Sequence, residues 1–191
     1  EALQLIGSTQ IQGRATLGGN LCNASPAADS VPALIAAGAV CEVAGPGGER
    51  EVPIEKLVTG PGRTSLARGE FVLGFRLPKP RAHSADAYLR FIPRTEMDIA
   101  VVGVGVNLVL DAGGTCTAAR VALGAVAPTV LLVKEAADAL IGTRLEEAAL
   151  EADGLTDAEP GAVEELDQRA VAQRARARPV GGLDQALGLV G

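Results

Sequence analysis

The chain holds only three cysteines, Cys22, Cys41 and Cys116, and a single histidine, His83. The cysteines form no CxxC pair and are odd in number, so neither a disulfide framework nor a cysteine-ligated cluster is expected. One histidine leaves too few ligands for a zinc site. No apolar stretch approaches the roughly 18 residues of a membrane helix, and the N-terminus lacks the basic segment and apolar core of a signal peptide. A cytoplasmic protein without a membrane span is the expectation. Walker sequences and Ser/His/Asp constellations are also missing, and no repeat with a period of roughly 20 to 50 residues is visible. No catalytic residue is therefore assigned.

What is present is a 191-residue chain, 48% apolar, with 17 Lys+Arg against 23 Asp+Glu. That suits one or two small globular domains. Residues 1–100 carry ten basic and ten acidic groups, and the remainder seven and thirteen, so the net charge of −6 belongs to the second half. An acidic half argues against nucleic-acid binding, which needs clustered Lys and Arg. The Arg169, Arg174, Arg176 and Arg178 group reads as a solvated helix face. The chain opens at Glu1 without a methionine and reads as structured from Ala2 onward, so part of a longer protein is expected.

Residues 2–12 read as one short helix, followed by a tight turn at Gly18-Gly19. Ser25 or Asp29 caps a second helix that runs through Val31-Pro32-Ala33-Leu34 and stops at Gly38. Residues 39–44 and 50–54 read as a hairpin around Gly45-Pro46-Gly47-Gly48, with a further strand over 70–77. Pro78-Lys79-Pro80 then marks the best boundary. Beyond it, 87–92, 99–110 and 115–126 are strand candidates, and their short loops favour antiparallel pairing. A helical pattern covers 135–141 and 145–152. Eleven carboxylates between Glu135 and Asp167 face one arginine, Arg144, and read as a solvated helical face.

Chemistry concentrates between Thr16 and Asp29. Backbone N–H groups at Gly18 and Gly19 can converge on an anion such as a diphosphate, where side chains would obstruct approach. The Thr16 hydroxyl adds a donor, and Asp29 can accept from sugar or ribityl hydroxyls. A glycine turn beside a capped helix explains the same spacing without any ligand. Gly103-Val104-Gly105 lacks the third glycine of a dinucleotide fingerprint and reads as strand core. His83 reads as exposed in a linker, and Cys22 as a small buried filler. Arg90, Arg94, Glu96 and Asp98 read as either a surface ion-pair group or basic groups reaching an anionic cofactor.

The string Ala15-Thr16-Leu17-Gly18-Gly19-Asn20, with Asn23-Ala24-Ser25-Pro26, Asp29 and Pro32-Ala33-Leu34, resembles the second FAD-binding motif of molybdenum hydroxylase flavoprotein subunits. This is the xanthine dehydrogenase and carbon monoxide dehydrogenase medium-subunit family. Tyr88-x-Arg90, Arg94, Asp98-Ile99-Ala100 and Gly124-Ala125-Val126-Ala127-Pro128-Thr129 extend the resemblance. It implies an α+β fold: the C-terminal part of a PCMH-type FAD-binding domain over 1–80, then a small antiparallel sheet packed with helices over 81–152. Residues 153–191 form a divergent tail.

The resemblance further implies FAD as cofactor, with Thr16, Leu17, Gly18, Gly19 and Asn20 along its diphosphate and flavin, and Asn23 and Ser25 in the same loop. Asp29 would make a polar contact, Ile6 and Val72 would supply apolar contacts, and Arg90 would replace a lysine common in relatives. Molybdopterin and 2Fe-2S clusters would sit in a large and a small partner subunit, and electrons would leave through FAD to NAD or another acceptor. The family's first FAD motif is expected to precede this sequence. The alternative is a structural remnant that docks to partner subunits without FAD.

Overall fold

Gly7 divides what the sequence predicts as one helix. In the computed structural model, which describes residues 1–94 and 97–145, Ala2–Leu5 form a 3-10 turn and Thr9–Gln12 a short helix, α1. Gly7 turns the chain between them at φ +58, and a Cβ there would stand 2.9 Å from that of Ile11. The predicted tight turn at Gly18-Gly19 is instead helical, within α2 (Leu17–Cys22). Each glycine costs about 1 kcal/mol in a helix. The Thr16 N-cap, the full burial of Leu21 and the packing of α2 against its neighbours offset that cost.

Helix α3 (Ser30–Ala36) is the central element. Pro32 falls in its first turn, where a missing N–H is tolerated. Its end is a Schellman motif: Gly38, at φ +69, donates to the Ile35 carbonyl and Ala39 to that of Leu34, both at 3.0 Å. The expected hairpin follows as β1 (Val40–Gly45) and β2 (Gly48–Pro53), with Pro46-Gly47 at its tip. Ile54, expected in the strand, opens α4 (Ile54–Leu57) because its fully buried side chain faces the core. Strands β3 (Val58–Gly60) and β4 (Arg63–Thr64) make a small ribbon, and β5 (Phe71–Arg76) pairs with β1 in the sheet order β2-β1-β5.

The second sheet is antiparallel throughout, in the order β6-β7-β8-β9, with strands Ser84–Phe91, Val102–Leu110, Cys116–Gly124 and Leu131–Leu132. Helix α5 (Lys134–Leu140) covers one part of it, with Ala136 and Ala137 against Val104 and Val121. Helix α3 lies on the sheet as well. As read from sequence, Gly103 and Gly105 are strand core, and the structure supplies the reason for Gly105: a Cβ there would overlap the Pro32 carbonyl. A Cβ on Gly124 would sit 2.8 Å from Pro32 Cγ. The main core accordingly mixes Leu21 and Ile35 with Cys41 and Val43 of the first sheet and Ala122 of the second. Arg120 of β8 completes the seat by donating from Nε and Nη2 to the Ile35 carbonyl at 3.1 and 2.8 Å.

The three cysteines are free; Cys41 and Cys116 are buried, whereas Cys22, expected to be buried, is half-buried at the end of α2. His83 is exposed, at φ +54. No helix among the described residues is long and apolar enough to cross a membrane. The predicted helix over 145–152, apart from Leu145, and the tail over 153–191 lie outside the described residues.

Candidate functional site

Thr16 adopts extended backbone angles at the N-cap of α2, and its Oγ1 accepts the Gly19 N–H at 2.9 Å. The Gly19 N–H, expected to face an anion together with that of Gly18, is thus taken by the helix cap, and the first turn of α2 offers a glycine surface of bare backbone flanked by a hydroxyl. A Cβ on Gly18 would meet only Val72 Cγ1, at 3.9 Å, which brings Val72 of β5 beside the motif. Asn20, one residue on, is oriented by Ser30: the Ser30 hydroxyl donates to Asn20 Oδ1 at 2.6 Å. With the amide oxygen accepting from Ser30, the Asn20 NH2 is the group left to donate to a ligand. Leu17 packs partly into the main core and also lines an open cleft of about 630 Å³, together with Ser30, Ala33, Leu34 and Tyr88.

Asp29 occupies the N-cap position of α3 yet makes no side-chain cap. The donors for a cap are missing: the Val31 N–H is given to the Ala28 carbonyl, and Pro32 has none. Its carboxylate turns to the second sheet instead. The Tyr88 hydroxyl donates to Oδ1 at 2.8 Å, and Arg90 Nη1 donates to Oδ2 at 3.2 Å. Arg90 Nη1 also donates to the Leu5 carbonyl at 2.9 Å, which places Ile6 next to the network. Asp29 and Tyr88 are 9% and 5% exposed, so the group is shielded from solvent. Burial, followed by the charge and hydrogen bond of Asp29, pushes the Tyr88 phenol far above its ordinary range, against a smaller opposing pull from Arg90. The phenol therefore stays a donor.

The sequence-predicted residues thus divide. Thr16, Leu17, Gly18, Gly19, Asn20 and Val72 form one contiguous surface, joined through Ser30 to Asp29, Arg90 and the Leu5-Ile6 segment. Asn23 is exposed at the far end of α2, and Ser25 is turned toward Ile35, Ile54 and Thr129, with its Oγ accepting the Ala27 N–H at 3.3 Å. The Asn23 backbone N–H donates to the Gly19 carbonyl at 2.9 Å, but no side-chain hydrogen bond joins Asn23 or Ser25 to the others among the described residues. Nor do Arg90, Arg94 and Asp98 form the single cluster the sequence suggested. Arg94 pairs with Asp98 at 2.8 Å on the surface, Arg90 is spent on Asp29 and Leu5, and Glu96 lies outside the described residues.

Three participants escaped the site reading from sequence: Tyr88, Ser30 and the Leu5 carbonyl. Tyr88 alone had a signal, as the one tyrosine of the chain, set two residues before Arg90. Cys22 is no candidate nucleophile, because burial raises its thiol pKa, and burial and Cys22 together push Cys41 up to about 11. The donor set is uncharged backbone, hydroxyl and amide beside one buried ion pair. Such donors suit a polyhydroxylated, diphosphate-bearing ligand, and the glycine surface leaves the room that side chains would fill.

Residues 1–80 match the family model described as the FAD binding domain in molybdopterin dehydrogenase, and residues 87–158 match the CO dehydrogenase flavoprotein C-terminal domain. The xanthine dehydrogenase FAD-binding subunit of Escherichia coli O157:H7 is 36% identical over 136 residues, covering 71% of this chain and 46% of that protein. The carbon monoxide dehydrogenase medium chain of Afipia carboxidovorans is 34% identical over 151 residues, covering 79% and 52%. A crystal structure of the Cu,Mo-CO dehydrogenase in its cyanide-inactivated form superposes with a TM-score of 0.78 at 31% identity, over 92% of this chain and 65% of that one. The chain spans about half the length of the curated relatives it matches. These matches show that the chain belongs to the family of FAD-binding subunits of molybdenum hydroxylases of the xanthine and carbon monoxide dehydrogenase type.

Proposed function

We propose that this chain is the flavin-holding part of an electron-transfer subunit in a cytoplasmic molybdenum hydroxylase. Its partners would be a large molybdopterin-binding subunit and a small 2Fe-2S subunit. The chemistry that bound FAD would supply is electron transfer from the iron–sulfur clusters to NAD or another acceptor, which belongs to the cofactor. The protein's share is placement. Thr16, the backbone of Leu17, Gly18 and Gly19, and Asn20 line the diphosphate and flavin, while Ile6 and Val72 give apolar contact. Asp29 accepts from a cofactor hydroxyl, Arg90 fixes Asp29 and the Ile6 segment, and Asn23 and Ser25 shape the loop. Residues 1–80 would serve as the C-terminal part of the FAD-binding domain and 81–152 as a CO dehydrogenase flavoprotein C-terminal-like domain.

The observation that carries this reading is the contiguity of the Gly18 surface with Val72, Asn20-Ser30 and Asp29, drawn together from α2, α3 and β5. Adding FAD to the purified flavoprotein should give a yellow complex with a flavin absorbance band. Gly18→Asp should expel it, because a carboxylate would stand where phosphate approaches while only Val72 lies near the new side chain. A protein that stays colourless after reconstitution, or a Gly18→Asp variant with full flavin content, overturns the assignment.

A further inference from the structure

We infer that Tyr88 is a positioning residue for the cofactor site, acting through Asp29. The inference rests on the proposed contact between Asp29 and FAD. An aspartate at a helix N-cap ordinarily finds an N–H two or three residues on. Here the first such N–H is committed to Ala28 and the second is absent, since that residue is Pro32. The helix that Asp29 begins therefore gives its carboxylate nothing to hold.

The second sheet holds it instead. Tyr88 and Arg90 alternate with Leu89 along β6, and they donate to different carboxylate oxygens, at 2.8 and 3.2 Å. Two donors on two oxygens fix both the position and the plane of the group, which either alone would not. Each carboxylate oxygen can accept about two hydrogen bonds, so each keeps the capacity to accept one more, from a ligand hydroxyl that reaches it. The charge of Asp29 is balanced by Arg90, which leaves orientation as the specific contribution of Tyr88. Its phenol is suited to that role because, shielded from solvent, it can only donate toward the carboxylate. The polar contact is in this way set by a strand 59 residues downstream of Asp29.

A double-mutant cycle on the flavoprotein tests this, with FAD dissociation constants from quenching of flavin fluorescence and the visible circular dichroism of the bound flavin as readouts. Tyr88→Phe removes one oxygen and should weaken FAD binding about tenfold, the equivalent of one hydrogen bond to a charged group. In an Asp29→Ala background the same change should have no further effect on affinity. Wild-type affinity in Tyr88→Phe, or an equal loss in both backgrounds, overturns the inference. If Asp29→Ala itself binds FAD like the wild type, the Asp29 contact is refuted, and if the wild type binds no FAD, the proposed function is. Should Tyr88→Phe fail to fold, 3,5-difluorotyrosine at position 88 keeps the shape and strengthens the donor. It should tighten FAD binding, and unchanged affinity then overturns the inference.

Discussion

Replacing Gly105 with alanine adds one methyl group at the point where α3 lies closest to the second sheet. The alanine Cβ would overlap the Pro32 carbonyl oxygen and lie 2.8 Å from the Ala33 nitrogen. Both are backbone atoms, so no rotamer change relieves the contact and α3 must lift. Yet α3 is held at its start by the Asp29–Arg90 pair and at its end by Arg120 on the Ile35 carbonyl. Overpacking of this kind costs about 3 kcal/mol, and alanine recovers about 0.5 to 1 kcal/mol of glycine's strand penalty. The net expectation is a loss of about 2 kcal/mol, or roughly 4 to 8 °C in Tm for a chain of this size. Urea denaturation should show a lower midpoint with an unchanged slope. Gly60→Ala, where nothing lies within 4 Å of the added carbon, is the matched control. If the two variants melt alike, the seating of α3 on Gly105 is wrong.

Asp29→Asn leaves Arg90 without its carboxylate in a site where both side chains are about nine-tenths buried. A loss of about 3 kcal/mol follows from breaking such a pair, and a urea midpoint unchanged from wild type would contradict it. Arg120→Lys keeps the charge but loses the two-pronged bond to the Ile35 carbonyl, so a loss of about 1 kcal/mol by the same assay is expected. The two-pronged bond from Arg50, then the Ala67 N–H, lowers the Glu70 pKa from 4.5 to about 2. A depressed carboxylate contributes above its unfolded value and loses that contribution as pH falls toward the folded one. Glu70→Gln should therefore flatten the pH dependence of stability between pH 4.5 and about 2, and an identical acid profile would refute the pairing. The Tyr88 phenol is raised from 10.0, so its contribution is full below that value and declines as pH rises beyond it. Absorbance at 295 nm should show no tyrosinate from Tyr88 at pH 11 until the protein unfolds.

The amino-acid sequence alone determined the features that depend on near neighbours. The hairpin around Pro46-Gly47, the stop at Gly38 and the three long strands of the second sheet follow from alternation and turn chemistry within a few residues. The motif around Gly18 and its family were equally legible, because a dense string of residue types at fixed spacing carries them. Strands of two or three residues, β3, β4 and β9, are too short to show a period, and the four-residue α4 is hidden for the same reason. Only the tertiary structure decided the roles of Asp29, Tyr88 and Gly105. Asp29 looks like a helix cap until its helix proves to lack the donors, and its true partners lie 59 and 61 residues away. Gly105 looks like a weak strand residue until α3 is laid across it. Capping, spacing and alternation are written in local order, whereas a buried ion pair and a close backbone approach exist only once distant segments share a core.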